Sequence, residues 1–167
     1  VTVGPRRAGA GRTGTGGHLP AGKRDRYRRY VESEAYRAER SEKARVIARL
    51  CREELAGARR VADLGSGTGL VKKALEDITD KTVIGLELDR SFIEVEERTA
   101  VADVTRLPVA DGGLDFAVAN HLYEHVDDQP ALFRELARVL APGGSAYVSA
   151  GNRWALMEPH YRLPFLS

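Results

Sequence analysis

The sequence predicts an α/β protein: a mostly parallel, doubly wound sheet of five strands with helices on both faces, preceded by N-terminal helices. Three observations lead there. Short apolar runs alternate with segments of helical periodicity, as in β-α-β proteins with a parallel sheet. The apolar run at residues 61–64 opens directly into Gly65, Gly67 and Gly69 and then a helical pattern, a strand–turn–helix unit in which backbone approaches a ligand. Successive apolar runs end on Asp63, Glu87, Asp103 and Asn120, and ligands of open parallel sheets lie at those strand ends.

The elements read in order as follows. Residues 27–56 are helical, with Ser41 as the expected N-cap of a second helix carrying Val46, Ile47, Leu50, Cys51 and Leu55, and with Gly57 ending it. Strand one covers 60–64, and its helix runs from Leu70 to about Ile78. Strand two covers 82–88. Ser91 with Glu94 reads as a capping box that starts the next helix. A short strand three at 100–102 leads to Asp103, and residues 104–113 form a loop. Strand four, 114–119, is almost wholly apolar, as a strand buried on both faces is. A helix over 130–140 has proline in its first turn, and Pro142-Gly143-Gly144 turns the chain into strand five at 145–150.

Composition narrows the function classes. At 167 residues, 43% hydrophobic and 30% charged, the chain suits one globular domain. No apolar run reaches the roughly 20 residues that span a bilayer, and no apolar signal segment follows the N-terminal arginines. Cys51 is the sole cysteine, which excludes a disulfide framework and a cysteine-rich metal site and makes a reducing, cytoplasmic setting the expectation. Charge is uneven: residues 1–60 carry 16 Lys/Arg against 7 Asp/Glu, and residues 61–167 carry 10 against 17. Residues 1–26, rich in Gly and Arg, read as a disordered basic leader, 27–57 as N-terminal helices, and 58–167 as the ligand-binding domain. The leader has no aromatics among its arginines, which weakens a nucleic-acid reading.

The glycine turn argues against pyrophosphate. The dinucleotide fingerprint needs G-x-G-x-x-G, but here Gly65-Ser66-Gly67-Thr68-Gly69-Leu70 brings the third glycine one residue early. No Gly-Lys-Ser/Thr follows, so it is not a P-loop. A ligand with nucleoside and amino-acid parts fits better. Glu87, 18 residues beyond Gly69, is placed to accept a ribose diol. Asp103 is placed to take the exocyclic amine of adenine, and Asp63 to hold the glycine loop through its amides.

Residues 61–70, 83–89, 102–108 and the late Arg138-Val139-Leu140-Ala141-Pro142-Gly143-Gly144 together resemble the class I S-adenosylmethionine-dependent methyltransferases, in particular the group acting on small molecules. The resemblance covers about residues 30–150. It implies a Rossmann-like sheet in which the backbone of Gly65, Ser66, Gly67 and Gly69 faces the methionine part of S-adenosyl-L-methionine. It also implies that Glu87 holds the ribose, that Leu88, Asp103 and Val104 surround the adenine, and that Asn120 lines the methionine side. The acceptor implied is a small or lipid- or glycan-linked molecule. For an oxygen acceptor a base is needed; His121, Glu124 and His125 follow strand four, with His125 the first to test. His160, with Tyr161, is a second candidate for the acceptor pocket, and Tyr30 and Tyr36 are candidates for covering the cofactor. The family has two more strands after strand five, where this sequence has Leu163-Pro164-Phe165-Leu166-Ser167. The expectation is a domain lacking them, its fifth strand an open edge suited to pairing with another chain, a second copy included. Competing readings are a cofactor-binding but inactive module, an RNA methyltransferase and a nicotinamide-dependent dehydrogenase.

Overall fold

The computed structural model describes residues 33–150 and two short strands beyond them, β6 and β7 below. The leader, Tyr30, His160 and Tyr161 lie outside the described residues.

Helix α1 spans Glu34–Leu50 and is one helix, not two. Ser33 is its N-cap, with Oγ accepting the Tyr36 amide at 3.2 Å. Ser41 is an interior residue, contrary to the expectation from sequence. The reason is local: residues 34–40 contain no glycine or proline to interrupt a helix already capped at Ser33. The helix breaks at Cys51 and resumes as α2, Arg52–Gly57. Strand β1, Val61–Leu64, is buried throughout. Helix α3, Leu70–Thr79, ends on Asp80 in a left-handed conformation. Strand β2 is Val83–Glu87 and β3 is Thr99–Val101.

The helix expected from Ser91 does not form. A single 3-10 turn, Arg90–Phe92, stands there, capped by Asp89, whose Oδ1 accepts the Ser91 amide at 2.9 Å. The following residues are drawn onto the glycine loop instead: the Val95 amide donates to Thr68 O at 3.1 Å.

Strand β4 is Leu114–Asn120, followed by a 3-10 turn at Tyr123–His125. Helix α4, Gln129–Val139, is capped by Asp128. Strand β5 runs Leu140–Ser149. It begins earlier than the sequence suggests, because Pro142-Gly143-Gly144 is a bulge inside the strand. Leu114 pairs with Leu140 but Phe116 pairs with Ser145, so the extra β5 residues loop out. Gly144 sits tightly there: a Cβ would stand 3.0 Å from Asp115 O.

The five strands order as β3-β2-β1-β4-β5, and every pairing is parallel. The fold is the expected doubly wound sheet. Strand alternation separates two cores. Val61, Phe116 and Val118 face α1, α2 and α3, where Ile47, Leu55 and Leu75 are buried. Ala62, Leu64, Ala117 and Ala119 face α4, with Leu132, Leu136 and Val139. Asp63 shares the first face with Val61, a charged group inside that core. Strands β3 and β5 are the two outer strands of this sheet among the described residues. Strands β6 (Met157–Glu158) and β7 (Leu163–Pro164) form a separate antiparallel pair.

Candidate functional site

The site lies at the carboxyl ends of β1, β2 and β4. Strand β1 delivers the chain into residues 65–69, where Gly65, Gly67 and Gly69 all have positive φ (66°, 52° and 79°). Their surroundings differ. A Cβ on Gly65 would stand 2.7 Å from Leu122 Cδ1, and one on Gly69 would stand 2.8 Å from Val95 Cβ. One on Gly67 would meet nothing within 4 Å. The outer glycines are thus required by the protein's own packing, whereas the middle one borders open space.

Strand β2 holds the loop. Leu86 O accepts the amides of Gly65 at 2.7 Å and Ser66 at 3.2 Å. Glu87 Oε2 accepts the Gly67 amide at 2.8 Å, and its Oε1 accepts the Asp89 amide at 3.0 Å. Each carboxylate oxygen accepts more than one hydrogen bond, so Glu87 keeps acceptor sites for a further donor. Leu88 beside it is 65% exposed.

Asp63, expected to hold the glycine loop through its amides, accepts the backbone N–H of Lys72 in the first turn of the helix that follows that loop. Burial pushes its carboxyl up to about 7, opposed by the Lys72 backbone N–H bonded to it; the Glu87 charge adds to the rise, and the Lys72 and Arg40 charges oppose it. Its Oδ2 is buried with no hydrogen-bond partner among the described residues, as is Nε of Arg40. Arg40 lies on the α1 face that carries Tyr36, with its guanidinium 4.5 Å from that ring's centroid. Ser66 turns its side chain inward as well: its Oγ stands 3.0 Å from where a Gly85 Cβ would be.

Asp103 forms a tight local turn. Its Oδ1 accepts the Thr105 amide at 2.8 Å and the Thr105 hydroxyl at 2.7 Å, while the side chain stays exposed. Val104 is buried in the α4-side core. Arg138 fastens this loop to α4, donating to Leu107 O, Val109 O, Asp111 and Glu135. Its guanidinium holds the Glu135 carboxyl at about 2.

At the end of β4, Asn120 Oδ1 accepts the Ser149 hydroxyl at 2.9 Å. His121 follows with φ +54°, its amide donating to Ser149 O. Asn120 and His121 line a cavity of about 230 Å3 between α1 and β5. His125 is exposed on the 3-10 turn and is not among the residues lining that cavity.

Sequence reasoning missed Arg40, Lys72, Leu122 and Val95. Two of these leave a signal. Arg40 falls four residues from both Tyr36 and Ala44 on the buried stripe of α1. Lys72 falls three from Leu75 on the buried face of α3; it is fully buried, with Nζ donating to Glu97 O at 2.7 Å.

A parallel sheet of this order with a glycine cradle at its switch point defines an α/β protein of the nucleoside-binding class. A family model described as a methyltransferase domain matches residues 62–148. The chain belongs to that family, whose cofactor is S-adenosylmethionine. It is 34% identical over 107 residues to a malonyl-[acyl-carrier protein] O-methyltransferase of Hahella chejuensis, covering 59% of this chain and 38% of that one. It is 34% identical over 101 residues to a probable S-adenosylmethionine-dependent methyltransferase of Mycolicibacterium smegmatis, covering 57% of this chain and 39% of the relative. The chain thus spans well under half the length of these relatives. A crystal structure of a Pyrococcus horikoshii OT3 protein shares the fold with TM-score 0.64 at 22% identity, covering 75% of this chain and 59% of that one.

The residues present fit the cofactor. The open face at Gly67, the remaining acceptor capacity of Glu87 and the exposed Leu88 suit a ribose and an apolar ring.

Proposed function

We propose that this chain binds S-adenosylmethionine across the ends of β1, β2 and β4 and transfers its methyl group to a small-molecule or lipid- or glycan-linked acceptor. The observation that carries the reading is the pairing of Glu87 with Gly67: an acid fixed on the one loop glycine whose outer side is open. In this reading Glu87 takes the ribose hydroxyls, and Gly65, Gly67 and Gly69 give the methionine part its room. Leu88 packs on the adenine and Asp103 accepts its amine through Oδ2, which has no partner among the described residues. Val104 supports that wall from the core, and Asn120 borders the methionine side. Ser66 contributes shape, its polar groups being turned to β2.

When bound, the cofactor supplies a methyl group already activated on a sulfonium. The protein's part is then to exclude water and align an acceptor at near-attack distance. Calorimetric titration of the full chain with S-adenosylhomocysteine tests the reading. Saturable one-to-one binding supports it; no binding, or preferred binding of NAD, overturns it.

A further inference from the structure

We propose that His121, paired with Glu124, takes the proton of an acidic hydroxyl, phenolic or enolic, seated in the cavity beside it. This deepens the methyl-transfer reading and rests on it.

The backbone points to His121. It is a non-glycine residue held at φ +54°, and such outliers persist where the surroundings over-determine them. Here the surroundings are plain. The His121 amide donates to Ser149 O at 3.0 Å and Oγ at 3.2 Å, and that hydroxyl in turn donates to Asn120. The turn is thereby pinned to β5, and His121 becomes part of the wall of the 230 Å3 cavity, together with Asn120, Tyr147, Ser149, Lys43 and Val46. On the other side, the next residue, Leu122, reaches the cradle at Gly65. Three consecutive residues therefore connect the acceptor-sized cavity to the cofactor loop.

The chemistry follows from the ring's partner. Nδ1 lies 3.3 Å from Glu124 Oε1, on the exposed side of the turn, with the two side chains 26% and 29% exposed. A carboxylate at Nδ1 fixes the tautomer that carries its proton there, so Nε2 is the proton-accepting atom, and the same carboxylate stabilises the imidazolium that forms. An imidazole base matches a phenolic or enolic hydroxyl far better than an aliphatic alcohol. In the transfer the acceptor oxygen forms the new O–C bond, its proton passes to Nε2, and the C–S bond pair returns to sulfur. Other charged or titratable groups facing this cavity are Glu39, Glu42 and Lys43 from α1 and Tyr147 from β5. Glu39 and Lys43 offset each other at 3.0 Å.

The test uses His121→Asn, since asparagine tolerates the left-handed backbone but is no base. The full chain is assayed with simple phenols and matching anilines, alongside S-adenosylhomocysteine calorimetry and histidine NMR titration. The expected result is product-analogue affinity within about twofold of the parent and phenol methylation reduced about 100-fold or more. Aniline methylation is expected to change little, and a phenol should shift the His121 ring resonances. Glu124→Gln is expected to lower the His121 titration midpoint and slow phenol transfer. Undiminished phenol transfer in His121→Asn overturns the proposal, as does binding of S-adenosylhomocysteine with every phenol inert and the His121 resonances unmoved. Loss of binding in the parent chain instead removes the methyl-transfer reading itself.

Discussion

The Glu87 carboxylate accepts the amide of Gly67 at 2.8 Å, joining the end of β2 to the middle of the glycine loop. One side chain therefore shapes the cradle and, in the proposed reading, faces its ligand. Glu87→Gln preserves size but loses charge. It should weaken S-adenosylhomocysteine binding at least tenfold by calorimetry, while the fold loses about 1 kcal/mol in chemical unfolding. Unaltered affinity would separate Glu87 from the ligand.

The loop glycines should respond differently to alanine. Gly67→Ala meets no neighbour, so its cost to the fold is the left-handed strain of about 1–2 kcal/mol, with cofactor binding lost. Gly65→Ala adds a clash with Leu122. Leu122→Ala should recover part of that loss in a double-mutant cycle, because the two sites share one contact. The same second substitution should do nothing for Gly67→Ala. Urea denaturation of the three single and two double variants checks this.

Asp63 makes stability depend on pH. Its folded-state pKa of about 7 lies above the ordinary aspartate value, so the unfolded chain releases this proton first as pH rises. The contribution of Asp63 is therefore most favourable below about pH 4 and declines through pH 7, by an amount on the order of a few kcal/mol. Asp63→Asn removes the effect. The stability of the parent relative to Asp63→Asn should fall from pH 4.5 to pH 7.5; a flat difference would show that Asp63 ionises normally.

Arg138 and Glu135 act in the opposite sense. The Arg138 guanidinium holds the Glu135 carboxyl at about 2, so this pair supports the fold above the ordinary glutamate range and loses its effect as pH falls toward 2. Arg138→Met should lower the melting temperature by several degrees at neutral pH and shift the acid unfolding midpoint upward. Amide exchange should rise most over residues 104–113, whose carbonyls at Leu107 and Val109 lose their donor.

Much of this was legible in the sequence because local chemistry and fold agree. The glycines, the polar strand ends and the apolar β4 each have one reading in an α/β chain. The misses share a different cause. Ser41 and Ser91 are competent caps, yet each was overruled by neighbours: Ser41 by an unbroken helix from Ser33, Ser91 by Asp89 and by the attachment of Val95 to Thr68. The bulge at Pro142-Gly143-Gly144 reads as a turn until the pairing of β4 with β5 is known. Within the site, the sequence offered His121, Glu124 and His125 together, with His125 first to test; the structure puts His121 in the cavity wall and His125 outside it.

Leu122 over Gly65 has a consequence for the order of events. The peptide turn that carries Asn120 and His121 on one compartment rests directly on the floor of the other. Filling either compartment must press on the same few atoms, and linkage makes such an influence mutual. The cofactor and the proposed acceptor should therefore bind non-independently, each altering the other's affinity by one common factor, and Leu122→Ala should bring that factor toward unity.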